Sequence, residues 1–271
     1  MSKNVLKYED TKLIKSKKKK GKGFGVLLVC LFILGGVIYL SGVLGNAISV
    51  GSFSFMFNNN NIKVKEHSYY AVVMGEYDSE KDAQKVASGV SVMGAGGYVW
   101  SNNQKYYVIG NVYKLKTDAE NVLKNMSATN YSCFVKEIKY KKIDYSAENL
   151  TKEQRGVINN CIEKINEIFE RCYNYAIRFD KGEVVSTVVS SELNTLKGEL
   201  LILASKLDAI NSVSPNTKTV ILKNSIVNIN NEIENTILKV IDGTSVNKDL
   251  KYLTTSIAVI KYNFYNEVNN V

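Results

Sequence analysis

Histidine, proline and tryptophan are nearly absent from this chain of 271 residues. Each occurs once, as His67, Pro215 and Trp100. A Ser–His or Cys–His dyad could use only His67, and a cluster of histidine metal ligands is excluded. We therefore predict that the chain is not an enzyme and uses no metal or cofactor. A pair of carboxylates that meets in space is the catalytic arrangement that the sequence leaves open.

Cysteine is also scarce, with four residues and no Cys-x-x-Cys spacing. Cys161 and Cys172 lie on one predicted helix, about 16 Å apart along its axis. A disulfide needs Cα atoms within about 7 Å, so these two cysteines cannot pair within that helix. Cys30 lies in a long apolar run and Cys133 in a predicted strand. The cysteines therefore indicate no metal chemistry.

Positive charge is concentrated at one end of the chain. The formal net charge is +9, and residues 1–23 supply seven of these nine charges through nine Lys opposed by Glu9 and Asp10. A nucleic-acid-binding domain would carry its basic excess on a folded face. The remaining residues have almost none, so we expect no nucleic-acid partner and interpret residues 1–23 as a basic tail.

A long uncharged apolar run covers residues 24–44, directly after the basic tail. About 20 such residues can cross a bilayer core as a helix, whereas the apolar part of a cleavable signal peptide has about 7–15. The run predicts an uncleaved transmembrane helix. Lysines on one flank keep the tail in the cytoplasm and place the C-terminus outside, in a single-pass protein of the cell membrane. Residues 45–66, rich in Gly, Ser and Asn, are interpreted as a linker.

Two half-copies of one strand–helix unit follow, at 69–83 and 106–119. Each has an aromatic-rich apolar strand, a Gly near its end, a later aromatic residue, a polar helix cap and an Ala in the next helix. The predicted N-caps are Asp78-Ser79 in the first copy and Thr117-Asp118 in the second. Such an echo indicates a small domain built by duplication. The expected order is strand (68–75), helix (79–92), strand (97–101), strand (105–113), helix (117–126) and strand (131–138). This βαββαβ order predicts a ferredoxin-like fold, with a four-stranded antiparallel sheet and two helices on one face.

These motifs resemble the sporulation-related repeat (SPOR) domain of bacterial cell-wall proteins. The resemblance covers about residues 67–138, within a domain that we place at 67–140. The residues that carry it are Tyr70-x-Val72-x-Met74-Gly75-x-Tyr77, Ser79-x-x-x-Ala83, and Ile109-Gly110 followed by Thr117-x-Ala119. It implies binding of peptidoglycan glycan strands at the open face of the sheet, in cell-wall remodelling during division or sporulation.

The chain departs from the SPOR pattern at the residues that face the ligand in that family. Val73 stands where the family often has Gln, and Tyr106 and Val108 stand where it often has Arg. Strand alternation places Tyr69 and Val73 on the outward face, and we expect Tyr106 and Val108 to face away from the helices as well. The candidate glycan-binding residues are Tyr69, Val73, Glu76, Trp100, Tyr106 and Val108.

An apolar outward face permits two interpretations. In the first, the aromatic side chains stack on sugar rings, and the polar groups of Glu76 and of Asn102 or Asn103 add hydrogen bonds. In the second, the face is covered by the helices that follow and binds no glycan. For Trp100 alone, a place in the core is favoured over ligand contact.

From residue 146 to the C-terminus, apolar residues recur every three or four positions and predict about four amphipathic helices. Thr151-x-x-Gln154 fits a capping box, and Ser214-Pro215 fits the start of the third helix. Short connections favour an antiparallel bundle over 146–271. Its apolar stripes are interpreted as core, with a protein partner or self-association through the bundle as the alternative.

The expected fold class is therefore α+β: a transmembrane helix, a SPOR-type domain and a helical bundle. The leading functional hypothesis is a membrane protein that binds peptidoglycan glycan strands outside the cell. The alternative is a non-enzymatic envelope scaffold or sensor, in which the sheet docks the helical bundle and binds protein rather than glycan.

Overall fold

The chain has an α+β fold in the residues that its structure, a computed structural model, describes: 61–126, 131–146, 150–242 and 245–271. The predicted tail (1–23), transmembrane helix (24–44) and most of the predicted linker (45–66) lie outside these ranges. Within the ranges, no helix is both long and apolar enough to cross a membrane.

Six strands and six helices make up the described part of the chain. The strands are β1 (Asn61–Val64), β2 (His67–Tyr77), β3 (Tyr98–Asn102), β4 (Lys105–Tyr113), β5 (Phe134–Tyr140) and β6 (Ile143–Ser146). The helices are α1 (Glu80–Val92), α2 (Lys116–Asn125), α3 (Lys152–Asp180), α4 (Ser186–Val213), α5 (Thr217–Asp242) and α6 (Val246–Asn269).

Strands β2 to β5 form a sheet in the order β3-β4-β2-β5, with every neighbouring pair antiparallel. Together with α1 and α2 they follow the chain order βαββαβ, so the predicted split βαβ arrangement is confirmed. The pairing of β2 with β4 is irregular, because its register shifts between Val72 and Val73 and again between Val73 and Gly75.

Helices α1 and α2 cover one face of this sheet through small side chains. A core on this side contains Ala83, Ala87 and Val90 of α1, Ala119 of α2, and Val72, Met74 and Val108 of the strands. The Ser79 side chain accepts a hydrogen bond from the Asp82 amide and caps α1, as expected. The cap predicted for α2 at Thr117-Asp118 is wrong, because α2 starts after Leu115, which makes no side-chain cap bond.

A second, two-stranded sheet pairs β1 with β6. Strand β1 begins within the predicted linker, and neither β1 nor β6 was predicted from the sequence. Ile62 and Val64 of β1 and Ile143 and Tyr145 of β6 are buried. The Tyr145 hydroxyl lies 2.6 Å from the Thr219 hydroxyl on α5, which ties this small sheet to the helical region.

Helices α3 to α6 form the predicted bundle, and each presents an apolar stripe to its neighbours. The capping box at the start of α3 is confirmed, with Thr151 and Gln154 each bonding the other's backbone amide. Helix α5 starts later than expected. Asn216, rather than Ser214, accepts hydrogen bonds from the first-turn amides of Lys218 and Thr219.

A single hydrophobic core joins the bundle to the sheet face opposite α1 and α2. Both predicted regions, 67–140 and 146–271, contribute to it, and all described residues belong to one compact unit. Helix α6 packs on β3, β4 and β5 as well as on α3 and α5. The sheet is therefore enclosed between α1 and α2 on one side and the bundle on the other.

Candidate functional site

Most of the predicted glycan-binding residues are covered. Tyr69 is 6% exposed and Trp100 3% exposed, while Val73 and Val108 are fully buried. Tyr106 is half-buried against the α1 and α2 side, and Glu76 is exposed beside Lys105. Of the two interpretations of the apolar sheet face, the open face is therefore wrong, and the face is covered by the helices that follow.

The side chains of β2 point to the two faces of the sheet that the alternation predicts. Tyr69, Ala71 and Val73 lie on the bundle side, whereas Val72 and Met74 lie under the two small helices. The Tyr69 ring stacks on Phe169 of α3 with centroids 4.2 Å apart. Bundle side chains thus occupy the place where a sugar ring was expected to stack.

The expected orientation of β4 is wrong. Tyr107 and Ile109 face the bundle, whereas Tyr106 and Val108 pack on the side of α1 and α2. Val73 is paired with Ile109, and directly opposed residues of antiparallel strands share a face. Because β4 is apolar on both faces, its own alternation could not fix this orientation.

Lys261 lies at the contact between sheet and bundle and is fully buried. Its ammonium Nζ is 4.8 Å from the ring centroid of Tyr69 and 4.7 Å from that of Tyr140. Phe169 and Tyr265 complete an aromatic cage, with centroids 5.8 Å away. Nζ donates a hydrogen bond of 3.3 Å to the Tyr69 hydroxyl. We call this group of five side chains the Lys261 cage.

The electrostatics of the cage are set by burial. Loss of solvent lowers the pKa of Lys261 to about 7, although the negative charge of Glu170 acts in the opposite direction. The same loss raises the pKa of Tyr69 and of Tyr140 well above the ordinary value, so both phenols stay neutral. The aromatic rings are thus neutral partners that stabilise a cation only partly.

His67 adjoins the Lys261 cage. Its ring stacks on Tyr140 with centroids 4.5 Å apart and meets Tyr265 edge-on at 5.7 Å. Burial, followed by the nearby positive charge of Lys261, lowers the pKa of His67 to about 4. A histidine held neutral in an aromatic environment fits a structural role better than that of a general base at neutral pH.

An open cleft of about 780 Å³ lies between the sheet and the C-terminal end of α6. Asn102 at the end of β3 and Asn103 in the β3–β4 turn line one wall. Asn263 and Asn266 of α6 line another, together with Asn270, which follows the helix. Trp100 and Tyr262 contribute aromatic surface. The remaining lining residues are charged: Glu66, Lys136, Glu137, Lys139 and Lys141.

Several acids of the bundle helices take part in ion pairs instead of forming a pair of free carboxylates. Arg171 bonds Glu167 and Glu192 and lies 3.5 Å from Glu199. Glu234 accepts a hydrogen bond from Lys197. In the described ranges, no cluster of His, Cys, Asp and Glu has the geometry to hold a metal ion.

The buried thiols are poor nucleophiles. Burial raises the pKa of Cys161 and of Cys172 to about 12, so both stay protonated at neutral pH. Both are free cysteines in the bundle core.

Sequence reasoning missed the Lys261 cage because a lysine in an amphipathic helix is normally assigned to the polar face. The available signal was the composition of α6. Ala258, Lys261 and Tyr265 share one side of the helix, directly beside the apolar stripe that includes Leu253, Ile257 and Phe264. A helix that is apolar on most sides is expected to be buried on most sides.

No family model matches the chain, and neither the curated proteins nor the solved structures contain a significant match to it.

Proposed function

We propose that this chain is a non-enzymatic scaffold or sensor of the bacterial cell envelope, anchored by residues 24–44 with its C-terminal part outside the membrane. Its SPOR-like sheet serves as a dock for the helical bundle of the same chain. The docked unit then offers its outer surfaces to a protein partner. The basic tail before an uncharged run supports the orientation.

The observation that carries this proposal is the covering of the sheet. Tyr69, Val73 and Trp100 lie against α3 and α6 rather than solvent. The Tyr140 hydroxyl on β5 donates a hydrogen bond of 3.0 Å to the Ala258 carbonyl on α6. Burial of large aromatic side chains contributes strongly to such an interface, so a docked state is favoured over a free sheet.

Docking is tested in the full-length protein by Ala258→Arg, which inserts a charge at a position that is fully buried against the sheet. We expect acrylamide to quench Trp100 fluorescence more strongly while far-UV circular dichroism keeps its helical signal. Glu267→Arg, at an exposed position of the same helix, is the matched control. Unchanged quenching in Ala258→Arg would reject docking.

Membrane orientation is tested separately with epitopes at the two termini. In intact spheroplasts, external protease is expected to remove the C-terminal epitope and spare the N-terminal one. Protection of the C-terminal epitope would reject the external location.

A second candidate function is binding of peptidoglycan glycan strands. The binding site would then be the open cleft and not the covered face of the sheet. Five Asn side chains lie along it. Amides both donate to and accept from hydroxyl groups, and aromatic surfaces suit sugar rings. This combination supports a hydroxyl-rich ligand.

Glycan binding is tested by co-sedimentation of the full-length protein with amidase-treated sacculi. We expect enrichment over a control protein and a several-fold loss in the double variant Asn102→Ala/Asn266→Ala. Asn224→Ala, exposed on α5, should retain binding. Equal sedimentation of the double variant and the wild type would exclude the cleft.

A further inference from the structure

Two strands of the sheet and two helices of the bundle contribute to the Lys261 cage or to its immediate surroundings. β2 supplies Tyr69 and His67, β5 supplies Tyr140, α3 supplies Phe169 and Glu170, and α6 supplies Lys261 and Tyr265. The amine therefore lies on the docking interface and not within one domain.

In the part of the chain that the structure describes, no carboxylate forms an ion pair with Lys261. Among the described residues, the Nζ atom makes its hydrogen bond to the neutral hydroxyl of Tyr69. The acid that influences it electrostatically, Glu170, is bonded to Lys114 at 2.5 Å. A buried charge is normally retained by a paired opposite charge. The docked state therefore favours the neutral amine of Lys261 over the ammonium. The aromatic rings, whose centroids lie 4.7–5.8 Å from Nζ, reduce this preference only in part.

We propose that the Lys261 cage, with His67 beside it, makes the docking of the sheet on the bundle sensitive to proton concentration, so that protonation releases the sheet face. This inference rests on the docking proposed above and adds its regulation. The released face carries Tyr69, Val73 and Trp100, which are inaccessible while α3 and α6 cover them. Acidification thereby exposes a sheet surface that the docked form conceals.

The two groups act in separate pH windows. Lys261 has a pKa of about 7 when docked against an ordinary 10.5, so the undocked form binds more protons between these values. Docking therefore weakens as the pH falls through this window and then stays level. The pKa of His67 is about 4 when docked against 6.5, so a second weakening follows between these values. In the docked form the neighbouring tyrosines are neutral throughout both windows, because burial raises the pKa of Tyr69, Tyr140 and Tyr265 above the ordinary value. In the undocked form they ionise only near the top of the upper window.

The chain carries its own probe for this transition. Trp100 is the single tryptophan of the sequence, is buried, and meets Tyr262 of α6 edge-on with centroids 5.2 Å apart. Separation of α6 from the sheet exposes it to solvent. Trp100 quenching therefore reports docking, while far-UV circular dichroism reports helix content.

The experiment measures the urea midpoint of Trp100 exposure in the full-length protein across both windows. The urea midpoint of the wild type should fall in two steps as the pH is lowered. The step at higher pH should be on the order of 1 M urea. Lys261→Met should lose the upper step and keep a high midpoint. Lys261→Arg, which is always charged, should also lose the upper step but keep a low midpoint. His67→Phe, which retains the stack on Tyr140, should lose the lower step.

Lys251→Met is the matched control. Lys251 lies on the same helix and is partly buried, but it pairs with Asp180 at 3.4 Å and donates to the Gly94 carbonyl. This variant should keep both steps. An upper step that persists in Lys261→Met or in Lys261→Arg would overturn the inference. A wild-type midpoint that does not change with pH would overturn it as well. A Trp100 that is quenched as strongly in the native wild type as in urea would instead overturn docking itself, so the two failures are distinguishable.

Discussion

The Tyr140 hydroxyl on β5 donates a hydrogen bond of 3.0 Å to the carbonyl oxygen of Ala258 on α6, although the two residues are 118 positions apart. Both are fully buried, and the bond joins the sheet to the helix that covers it. Tyr140 also forms one wall of the Lys261 cage. A single side chain thus contributes a specific polar contact, apolar area and ring contacts to the docking interface.

Tyr140→Phe removes only the hydroxyl. We expect the free energy of unfolding to fall by about 1 kcal/mol, because one buried hydrogen bond is lost while the ring remains. Urea denaturation of the full-length protein measures the change. Tyr70→Phe, on the opposite face of the sheet, should have a smaller effect. An equal loss in both variants would show that the Tyr140–Ala258 bond has no particular role.

Gly96 lies where the sheet domain closely approaches the backbone of α6. A Cβ atom at this position would lie 2.9 Å from the Tyr252 amide nitrogen and 3.0 Å from the Gly110 carbonyl oxygen. Backbone atoms cannot move aside cheaply, so Gly96→Ala should destabilise the protein by about 1–3 kcal/mol. Thermal unfolding measures the loss of stability. Acrylamide quenching of Trp100 should increase in the same variant, because the contact between the sheet and α6 is weakened.

Gly198→Ala is the matched control for that substitution. Gly198 is helical, and no atom lies within 4 Å of an added Cβ. Alanine should therefore stabilise α4 by up to about 1 kcal/mol. The two substitutions add the same methyl group and should change the free energy of unfolding in opposite directions. Equal signs would contradict the tight contact at Gly96.

The contact between α3 and α4 depends on charge. Arg171 donates to Glu192 and Glu167, and the side chain of Glu192 is only 17% exposed. Arg171→Met leaves that carboxylate without its main partner and should cost about 1–3 kcal/mol. Adding Glu192→Gln should recover most of the loss in a double-mutant cycle. Lys223→Met, in a more exposed pair with Asp208, should change stability by less than about 0.5 kcal/mol.

The bundle cysteines provide a chemical test of the helical core. Cys161 and Cys172 are buried, and desolvation raises the pKa of each to about 12. Iodoacetamide should leave both unmodified in the native protein and alkylate both in urea, because the thiolate is the reactive species. Mass spectrometry of tryptic peptides measures this. Rapid native labelling of Cys172 would place it outside the core.

The order of elements was predictable because period and turn signals act locally. The alternation in β2, the cap at Ser79 and the capping box at Thr151 each depend on residues close in sequence, and all three appear as expected. Strand β1 was missed because Asn61–Val64 is too short to show a period and pairs only with the distant β6.

The candidate site was not predictable, because it depends on which partner covers each strand. β4 is apolar on both faces, and only its register with β2, altered near Val73, decides where Tyr106 and Tyr107 point. Lys261 is buried only because β2, β5 and α3 meet α6. The apolar face permitted both a sugar ligand and a cover by the helices that follow, and the sequence did not decide between them.

The sheet domain should not be stable without the bundle. A fragment of residues 61–146 would expose Tyr69, Val73 and Trp100, all of which are buried in the complete structure. Large uncovered apolar surfaces favour aggregation. We expect this fragment to aggregate or to give poorly dispersed amide NMR signals. Co-expression with a separate fragment of residues 150–271 should restore solubility, because it supplies α3 and α6. A monomeric, well-folded 61–146 fragment would contradict the interpretation of the sheet as a dock.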